Sequence, residues 1–458
     1  MKIMVCGCGK IGAAIIESLA AEGHDLIAVD RDPAAVREIA AVCDVIGVEG
    51  NCADCETLDE AGVREVGLFI AVTGSDEVNM LSCFLAGSMG AEHTIARIRN
   101  PEYNDDSLGF MRDKLGLSMA INPEQLAARE LFDLLKLPSA AKIEPFAGRA
   151  FEAVEMKLRE NSPLDNVSLR ELREKYKTKV LVSMVQRGDE VHIPDGSFVL
   201  RAGDRVGMIA SPAEIGRFLT KAGLMQKSAK QVMILGGSRT AFYLTKLLTD
   251  SGCVVKVVEK ERDTADAFSA ELDNSGGGNA VVICGDGTSQ ELLLEEGINT
   301  TDAFVALTGM DEENILMSIY ALGQKTPKVI AKVNRPELSS LAEKLGLDCL
   351  VSPKNIIADT LVRYARALEN SSGESVETMY KLMDGEVEAI EFSVKREIDG
   401  VTSVPLRELT LKPGILVAGI IRKRRSIVPG GEDKILPGDR VITIAAGMRL
   451  HSLGDIRG

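Results

Sequence analysis

Near the start of the chain Gly7, Gly9 and Gly12 stand in the spacing G-x-G-x-x-G, with Cys8, Lys10 and Ile11 between them. That spacing suits one task, which is to hold a pyrophosphate against backbone N–H groups. Gly7 allows a sharp turn out of a strand, Gly9 lets backbone amides approach the phosphates, and Gly12 lets a helix pack closely on the sheet. The anion then lies at a helix N-terminus, where unpaired N–H groups and the helix dipole favour negative charge. Asp30 closes the next apolar run at about the expected 20 residues, where its carboxylate can accept hydrogen bonds from both ribose hydroxyls. A 2′-phosphate there would meet like charge. The pattern therefore favours NAD(H) or an adenine ribonucleotide over NADP, although the neighbouring Arg31 softens the repulsion.

These residues need a particular scaffold. Residues 5–30 read as strand, tight turn, helix and strand, and Asp32-Pro33 makes an N-cap and first helical position for a helix to about Val42. A third strand follows at 45–48 and a turn at Gly50-Asn51-Cys52. The apolar run 68–72 is a strand buried on both faces, after which Ser75 caps a helix to Met89, and 94–98 is a fifth strand. Such alternation specifies a doubly wound parallel sheet whose ligand lies beyond the carboxyl ends of its strands. From Pro123 a helix carries Ala127, Leu131, Leu134 and Leu135 on one face and stops near Pro138. It reads either as a core helix or as one that packs on a neighbouring domain or subunit. Residues 149–225 change character, with short strands at 179–186, 191–193, 199–200 and 205–210, and read as a small α+β domain without a catalytic set.

The programme then restarts. Residues 231–259 repeat the opening, and Glu259 stands where Asp30 stood. Gly285-Asp286-Gly287-Thr288 matches Gly50-Asn51-Cys52-Ala53, and Thr308 lies in a repeat of the V-T-x-x-D-E-x-N run that contains Thr73, Gly74, Asp76 and Asn79. The pairs Thr73/Thr308, Pro101/Pro336 and Asp204/Asp439 are each 235 residues apart. A helix bearing Ile357, Leu361, Tyr364 and Leu368 repeats the Pro123 helix. The chain is a tandem duplication, with domains expected at 1–138, 139–228, 229–370 and 371–458. The copies differ at the fingerprint, where Gly236-Gly237-Ser238-Arg239-Thr240-Ala241 puts serine at the phosphate-approach position and alanine at the packing position. Glu259 keeps the ribose acceptor, and Arg239 could reach a terminal phosphate with two donors. The second copy reads as either a nucleotide site of altered preference or a relic of the fold.

Bulk composition narrows the classes. With 53 basic against 68 acidic side chains the net charge is −15, which opposes binding to a phosphate backbone and argues against nucleic acid. No apolar run approaches the roughly 18 residues needed to span a bilayer, and Lys2-Ile3-Met4 already begins a strand, so no signal peptide is expected. Nine cysteines lie scattered, several of them in apolar strands, as buried thiols in a reducing compartment would. Cys52 and Cys55 make a C-x-x-C pair without a second pair or histidines nearby, so a structural role is expected rather than a metal or redox one. His24, His93, His192 and His451 stand in no ligand-like spacing. The basic run 422–425, opposite Arg187-Gly188-Asp189-Glu190, reads as a solvated strand turn or as a contact for an anionic surface.

Two copies of glycine fingerprint, strand-end acid, G-[DN]-x-x turn and V-T-x-x-D-E-x-N run, each followed by a small domain with G-D-x-V, resemble the tandem RCK, or KTN, family over essentially the full length. The resemblance implies two Rossmann-like domains, each followed by a small α+β domain. It also implies a cytoplasmic protein, peripheral on the inner face of the membrane, that forms a homo-oligomer, a dimer or a dimer of dimers. Such a protein would gate a potassium channel or transporter of the Trk type through NAD(H) and ATP or ADP, with NAD(H) at the first site and ATP, ADP or NAD at the second. By position, 7–12 would hold phosphates, with Lys10 facing them, Asp30 would bind ribose, Asn51 and Cys52 would border adenine, Thr73 and Gly74 would line the phosphate side, and Arg97 would face the ligand. In the second half Gly236, Gly237, Ser238, Arg239, Thr240, Glu259, Asp286, Thr308 and Lys332 form the corresponding set. An NAD-dependent dehydrogenase would need an acid or base near the nicotinamide. Neither small domain offers a histidine with a carboxylate partner. A nucleotide sensor unconnected with potassium is the other alternative.

Overall fold

The uniformly apolar runs do fold as strands covered on both faces, as the fully buried stretches 68–71 and 303–306 illustrate. The computed structural model describes residues 1–100, 103, 109–110, 112, 114–276, 278–370, 376–423, 425–450 and 452–458. Pro101, Glu102, Arg424 and His451 lie outside the described residues.

The first sheet contains β1 (Lys2–Cys6), β2 (Asp25–Asp30), β3 (Ile46–Glu49), β4 (Leu68–Ala71), β5 (His93–Arg97) and β6 (Met119–Ile121). Its order is β3-β2-β1-β4-β5-β6, and every pairing is parallel. The chain moves outward in opposite directions from β1, so a crevice opens above the carboxyl ends of β1 and β4. Next come β7 (Lys142–Phe146), β8 (Phe151–Lys157), β9 (Leu181–Arg187), β10 (Glu190–His192) and β11 (Arg205–Ala210), an antiparallel sheet ordered β10-β9-β11-β8-β7. It carries the helices Leu169–Tyr176 and Pro212–Lys221. The expected strand at 199–200 is reduced to one bridge between Ser168 and Val199.

The duplication is present in three dimensions. A second sheet, with β12 (Gln231–Leu235), β13 (Val254–Glu259), β14 (Ala280–Cys284), β15 (Ala303–Ala306), β16 (Lys328–Lys332) and β17 (Leu350–Val351), has the order β14-β13-β12-β15-β16-β17. The last sheet, with β18 (Val376–Leu382), β19 (Val387–Ser393), β20 (Ile415–Arg422), β21 (Arg425–Ile427) and β22 (Arg440–Ala446), is ordered β18-β19-β22-β20-β21, matching the first small domain strand for strand. Where the first small domain has two α-helices, the described part of the second has only short 3-10 turns at Leu406–Glu408 and Leu453–Ile456.

The chain packs into two compact units, one of residues 1–129, 242–244 and 351–365 and the other of 130–241, 245–350 and 366–458. Within the first unit the Tyr243 hydroxyl donates to the Arg99 carbonyl at 3.2 Å and accepts from the Asn122 side chain at 3.1 Å. Within the second, the two small domains share one apolar core, in which Phe146, Phe151 and Met184 meet Leu382, Ala418 and Ile442. Each fully buried Phe of that core contributes about 1.5–3 kcal/mol by leaving water. No described helix is long and apolar enough to cross a membrane.

Candidate functional site

Glycine at position 12 is dictated by contact. A Cβ there would lie 1.7 Å from the carbonyl oxygen of Gly7, so the helix Lys10–Ala21 sits against the turn more closely than any side chain allows. Gly7 itself has φ +101°, the left-handed region that favours glycine. Gly9 is the N-cap, and a Cβ on it would meet nothing within 4 Å. No side chain of the N-cap residue engages the first turn, whose N–H groups have no partner inside the helix. Lys10 is exposed at that helix start and Ile11 is half-buried. The cradle therefore fits a phosphate: a bare helix N-terminus, open space at Gly9 and a cation at Lys10.

Asp30 lies at the end of β2, beside this turn. Its Oδ2 accepts from the Cys8 N–H at 2.6 Å and its Oδ1 from the Asp32 N–H at 2.9 Å, which leaves each oxygen a further lone pair for a ribose hydroxyl. Arg31 is exposed next to it. In the β3 turn Asn51 folds back so that its Oδ1 accepts from Ala53 N–H at 3.1 Å. Cys52 turns into the core against Cys6 and Cys83, so what it offers the crevice is backbone. Cys55 is exposed, and the two sulfurs of the C-x-x-C pair point different ways. The Cys52 thiol is lowered to about 7, chiefly because the Cys6 thiol hydrogen-bonds it.

Across the crevice, β4 and β5 are tied by a clamp. Asn79 is fully buried, and its Oδ1 accepts from both the N–H and the hydroxyl of Thr73, at 2.8 and 2.7 Å. Its Nδ2 donates to the Arg97 carbonyl at 2.9 Å. Asp76 accepts from the N–H groups of Arg99 and Asn100, both at 2.8 Å. Arg97 is buried and donates to the Thr73 carbonyl, while its Nε has no hydrogen-bond partner, and burial lowers its pKa. Gly74 is open, with nothing within 4 Å of a Cβ. Thr73 and Arg97 are thus joined, with Gly74 next to them, and the Thr73 backbone lies directly against Gly7.

The second half builds the same clamp with other residues. Asn314 accepts from the N–H and hydroxyl of Thr308 at 2.8 and 2.9 Å and donates to the Lys332 carbonyl at 2.9 Å. Lys332 replaces Arg97, with its ammonium on the Leu307 carbonyl at 3.3 Å and its pKa lowered by burial. Glu259 repeats Asp30, accepting from Gly237 N–H at 2.6 Å and Glu261 N–H at 2.9 Å. The extra methylene of Glu259 reaches further into the turn, and a Cβ at Gly237 would stand 3.0 Å from its Oε2. Asp at 30 is thus matched with Cys at 8, and Glu at 259 with Gly at 237. The hydroxyl of Ser238 accepts from the Ala241 N–H at 3.3 Å, so serine caps the helix Arg239–Asp250 and occupies one of the donors an anion would use. Gly236 keeps the positive φ of Gly7, Thr240 is buried, and Arg239 is exposed at the helix start. Asp286 is held by Thr288 at 2.7 Å and by Lys260 at 3.2 Å, which lower its pKa to about 2.

Asp76, Asn79, Asp311 and Asn314 position the crevice wall, yet sequence reasoning used them only to mark the repeat. Their signal was the polar D-x-x-N spacing on a helix that follows a fully apolar strand. The basic run at 422–425 resolves partly into structure, since Arg422 binds Asp439 through two contacts at 2.8 and 2.7 Å, as Arg187 binds Asp204. Lys423 takes the left-handed turn position, with φ 49°.

Comparison with known proteins agrees with this architecture. The TrkA-N domain matches residues 3–123 and again 232–353, and the TrkA-C domain matches 153–223. The chain is 29% identical over 456 residues to a Trk system potassium uptake protein TrkA homolog of Archaeoglobus fulgidus, covering 100% of both chains. It is also 29% identical to the Trk system potassium uptake protein TrkA of Haemophilus influenzae, covering 96% of this chain and 95% of that one. Among solved structures, the GsuK channel bound to NAD superposes with a TM-score of 0.62 at 16% identity, over 97% of this chain and 77% of that one. The GsuK RCK domain gives 0.62 at 16%, over 97% and 92%. Two fingerprint sheets, each followed by the same five-stranded small domain, and two matches to one domain family lead to a single assignment: the chain belongs to the TrkA family, with a TrkA-N domain in each half.

Proposed function

We propose that this chain is a regulatory subunit of a potassium uptake system, peripheral to the membrane, that senses NAD(H) in its first crevice and an adenine nucleotide, ATP, ADP or NAD, in its second. The observation that carries the reading is the pairing of an uncapped helix N-terminus at Gly9 with the Asp30 carboxylate beside it. The first supplies N–H donors to a pyrophosphate, and the second supplies acceptors to a ribose. Full-length relatives named as Trk potassium uptake proteins support the transport role. The GsuK channel, solved with NAD and with ADP, supports the ligand class.

The residues that would hold the nucleotide are Gly7, Cys8, Gly9, Lys10, Ile11 and Gly12 at the phosphates, Asp30 and Arg31 at the ribose, Asn51 and the Cys52 backbone at the adenine, and Thr73, Gly74 and Arg97 on the opposite wall. Bound nucleotide supplies charge and shape and undergoes no reaction. Asp30 trades part of its bonding to the turn for the ribose, and Arg97 gains an anion for a guanidinium that is short of partners. A ligand shifts an equilibrium between shapes only by binding one of them better, and a tenfold preference is worth about 1.4 kcal/mol. The chain acts as a homo-oligomer, a dimer or a dimer of dimers, beneath a Trk-type membrane subunit, with the division at 138, 228 and 370 separating its four domains.

The test is equilibrium binding of NAD, NADH, NADPH, ATP and ADP to the full chain and to Asp30→Ala and Glu259→Ala. NADH binding lost in Asp30→Ala alone supports the first site, whereas equal binding in both variants and the parent removes it. Turnover of NADH with a small hydroxy acid would make the chain a dehydrogenase instead.

A further inference from the structure

At the amino-terminal edge of the second sheet, opposite the end that carries its nucleotide crevice, β16 begins with Lys328, which is only 5% exposed. Its ammonium donates to the Ala140 carbonyl at 2.6 Å. The adjoining group is the Cys349 thiol, which burial keeps protonated and which itself donates to the Ala141 carbonyl at 3.4 Å. Both immediate neighbours of Lys328 are therefore neutral. Two carboxylates, Glu130 and Asp348, act on the Cys349 thiol from nearby; Asp348 is taken by Lys157 at 2.9 Å, and among the described residues no carboxylate forms an ion pair with Lys328. An ammonium carries three donors, more than a carbonyl and a thiol use.

Lys328 forms part of the wall of a cavity of about 170 Å³, bounded on one side by residues of the first small domain and on the other by the second sheet. That is the scale of a void that accepts benzene. Here the wall is polar. Ser139 is fixed by donating to the Leu224 carbonyl at 2.6 Å and accepting from the Gln226 N–H at 3.2 Å. The buried Oε1 of the Gln226 carboxamide has no hydrogen-bond partner. The lining also carries two cations, Lys157 and Arg159, and two carboxylates, Glu160 and Asp348, of which Asp348 is paired with Lys157. The feature belongs to one half only, since the first residue of β5, in the register of Lys328, is His93, which meets Ser118 and the ring of Tyr364.

We propose that this cavity is an effector site for a small anion, a carboxylate or phosphate ester no larger than a six-membered ring with one charged substituent, whose negative group pairs with Lys328 and whose hydrogen-bonding group meets Gln226. Because the cavity lies between the first small domain and the second sheet, an occupant ties the two together by binding both walls.

The probes are inorganic phosphate and glycolate, titrated into the full chain by calorimetry and by thermal unfolding, with sodium chloride at equal ionic strength as the control. The site is expected to give saturable binding of at least one probe, a rise in Tm that saturates with it, and a loss of affinity of tenfold or more in Lys328→Met, with partial recovery in Lys328→Arg. Gln226→Glu, at a half-buried wall position, puts a like charge in the cavity without removing a core side chain, and carries the same expectation should Lys328→Met fail to fold. Phosphate binding alone assigns the occupant to the phosphate class, and glycolate binding alone to the carboxylate class. Absence of binding by both probes, or binding unchanged in Lys328→Met and Gln226→Glu, overturns the proposal.

Discussion

The Asp30 carboxylate accepts a hydrogen bond from the Cys8 N–H at 2.6 Å, so the acid at the end of β2 is tied directly to the fingerprint turn at the end of β1. Asp30→Ala removes two acceptors from the ribose and one support from the turn. With charge-assisted hydrogen bonds worth about 1.5–3 kcal/mol, NADH affinity should fall roughly tenfold to a hundredfold, as read by fluorescence titration.

The fingerprint of the second half differs mainly in one hydroxyl. Ser238→Gly frees the Ala241 N–H and should strengthen nucleotide binding at that crevice, while costing only a few tenths of a kcal/mol in helix stability. Gly9→Ser should do the reverse at the first crevice. Gly12→Ala is a different kind of change, because the added carbon overlaps the Gly7 carbonyl, and a loss of about 1–3 kcal/mol in urea unfolding is expected.

Asn79→Ala strips partners from the Thr73 N–H, the Thr73 hydroxyl and the Arg97 carbonyl together. Buried groups left this way cost about 1–3 kcal/mol each, so a total on the order of 3 kcal/mol is expected after relaxation. Asn314→Ala should cost a similar amount. Equal stability of both variants and the parent in denaturant would show that the clamp is decorative.

Cys52 gives a pH signature. Its folded pKa of about 7 lies below the ordinary thiol value of 9.0, so the folded chain releases this proton first and gains stability from it as pH rises. The gain is absent below pH 7, grows between 7 and 9, and is complete above 9. A shift of this size corresponds to on the order of 3 kcal/mol. Cys6, whose burial pushes its thiol well above 9, stays protonated across that window. Thiolate absorbance should titrate near pH 7 in the parent and be missing in Cys52→Ser, whose stability should rise less between pH 7 and 9.

Arg205 joins the small domains electrostatically, reaching the fully buried Glu155 at 2.7 Å and Asp384 at 2.5 Å. Arg205→Met leaves Glu155 buried with only the Met383 N–H, at 3.0 Å, and should destabilise the second unit by about 3–5 kcal/mol in thermal unfolding. The double change Arg205→Met with Glu155→Gln should recover much of that loss.

Much of this molecule is visible in its sequence, for identifiable reasons. Strands such as 68–71 are apolar throughout because both faces are covered, and Ser75 and Asp32 announce helices through their own caps. Those are local signals. The strands 142–146 and 151–157 were not legible, because their alternation is broken by Pro145 and by the buried Glu152 and Glu155, the second of which is matched by Arg205, a residue distant in sequence. The inward turn of Cys52 depends on Cys6 and Cys83, which only the folded sheet brings near. Lys328 looks like an ordinary strand-end lysine until the residues around Ala140 cover it.

The apolar core common to the two small domains has an evolutionary corollary. Partners that would otherwise find each other by diffusion are here encoded on one polypeptide, so their association is immune to dilution. Covalent linkage also lifts the requirement that both partners be identical. A serine at 238, a lysine at 328 and short 3-10 turns where the first small domain has helices are the divergence such freedom permits, while the other half keeps the three-glycine cradle.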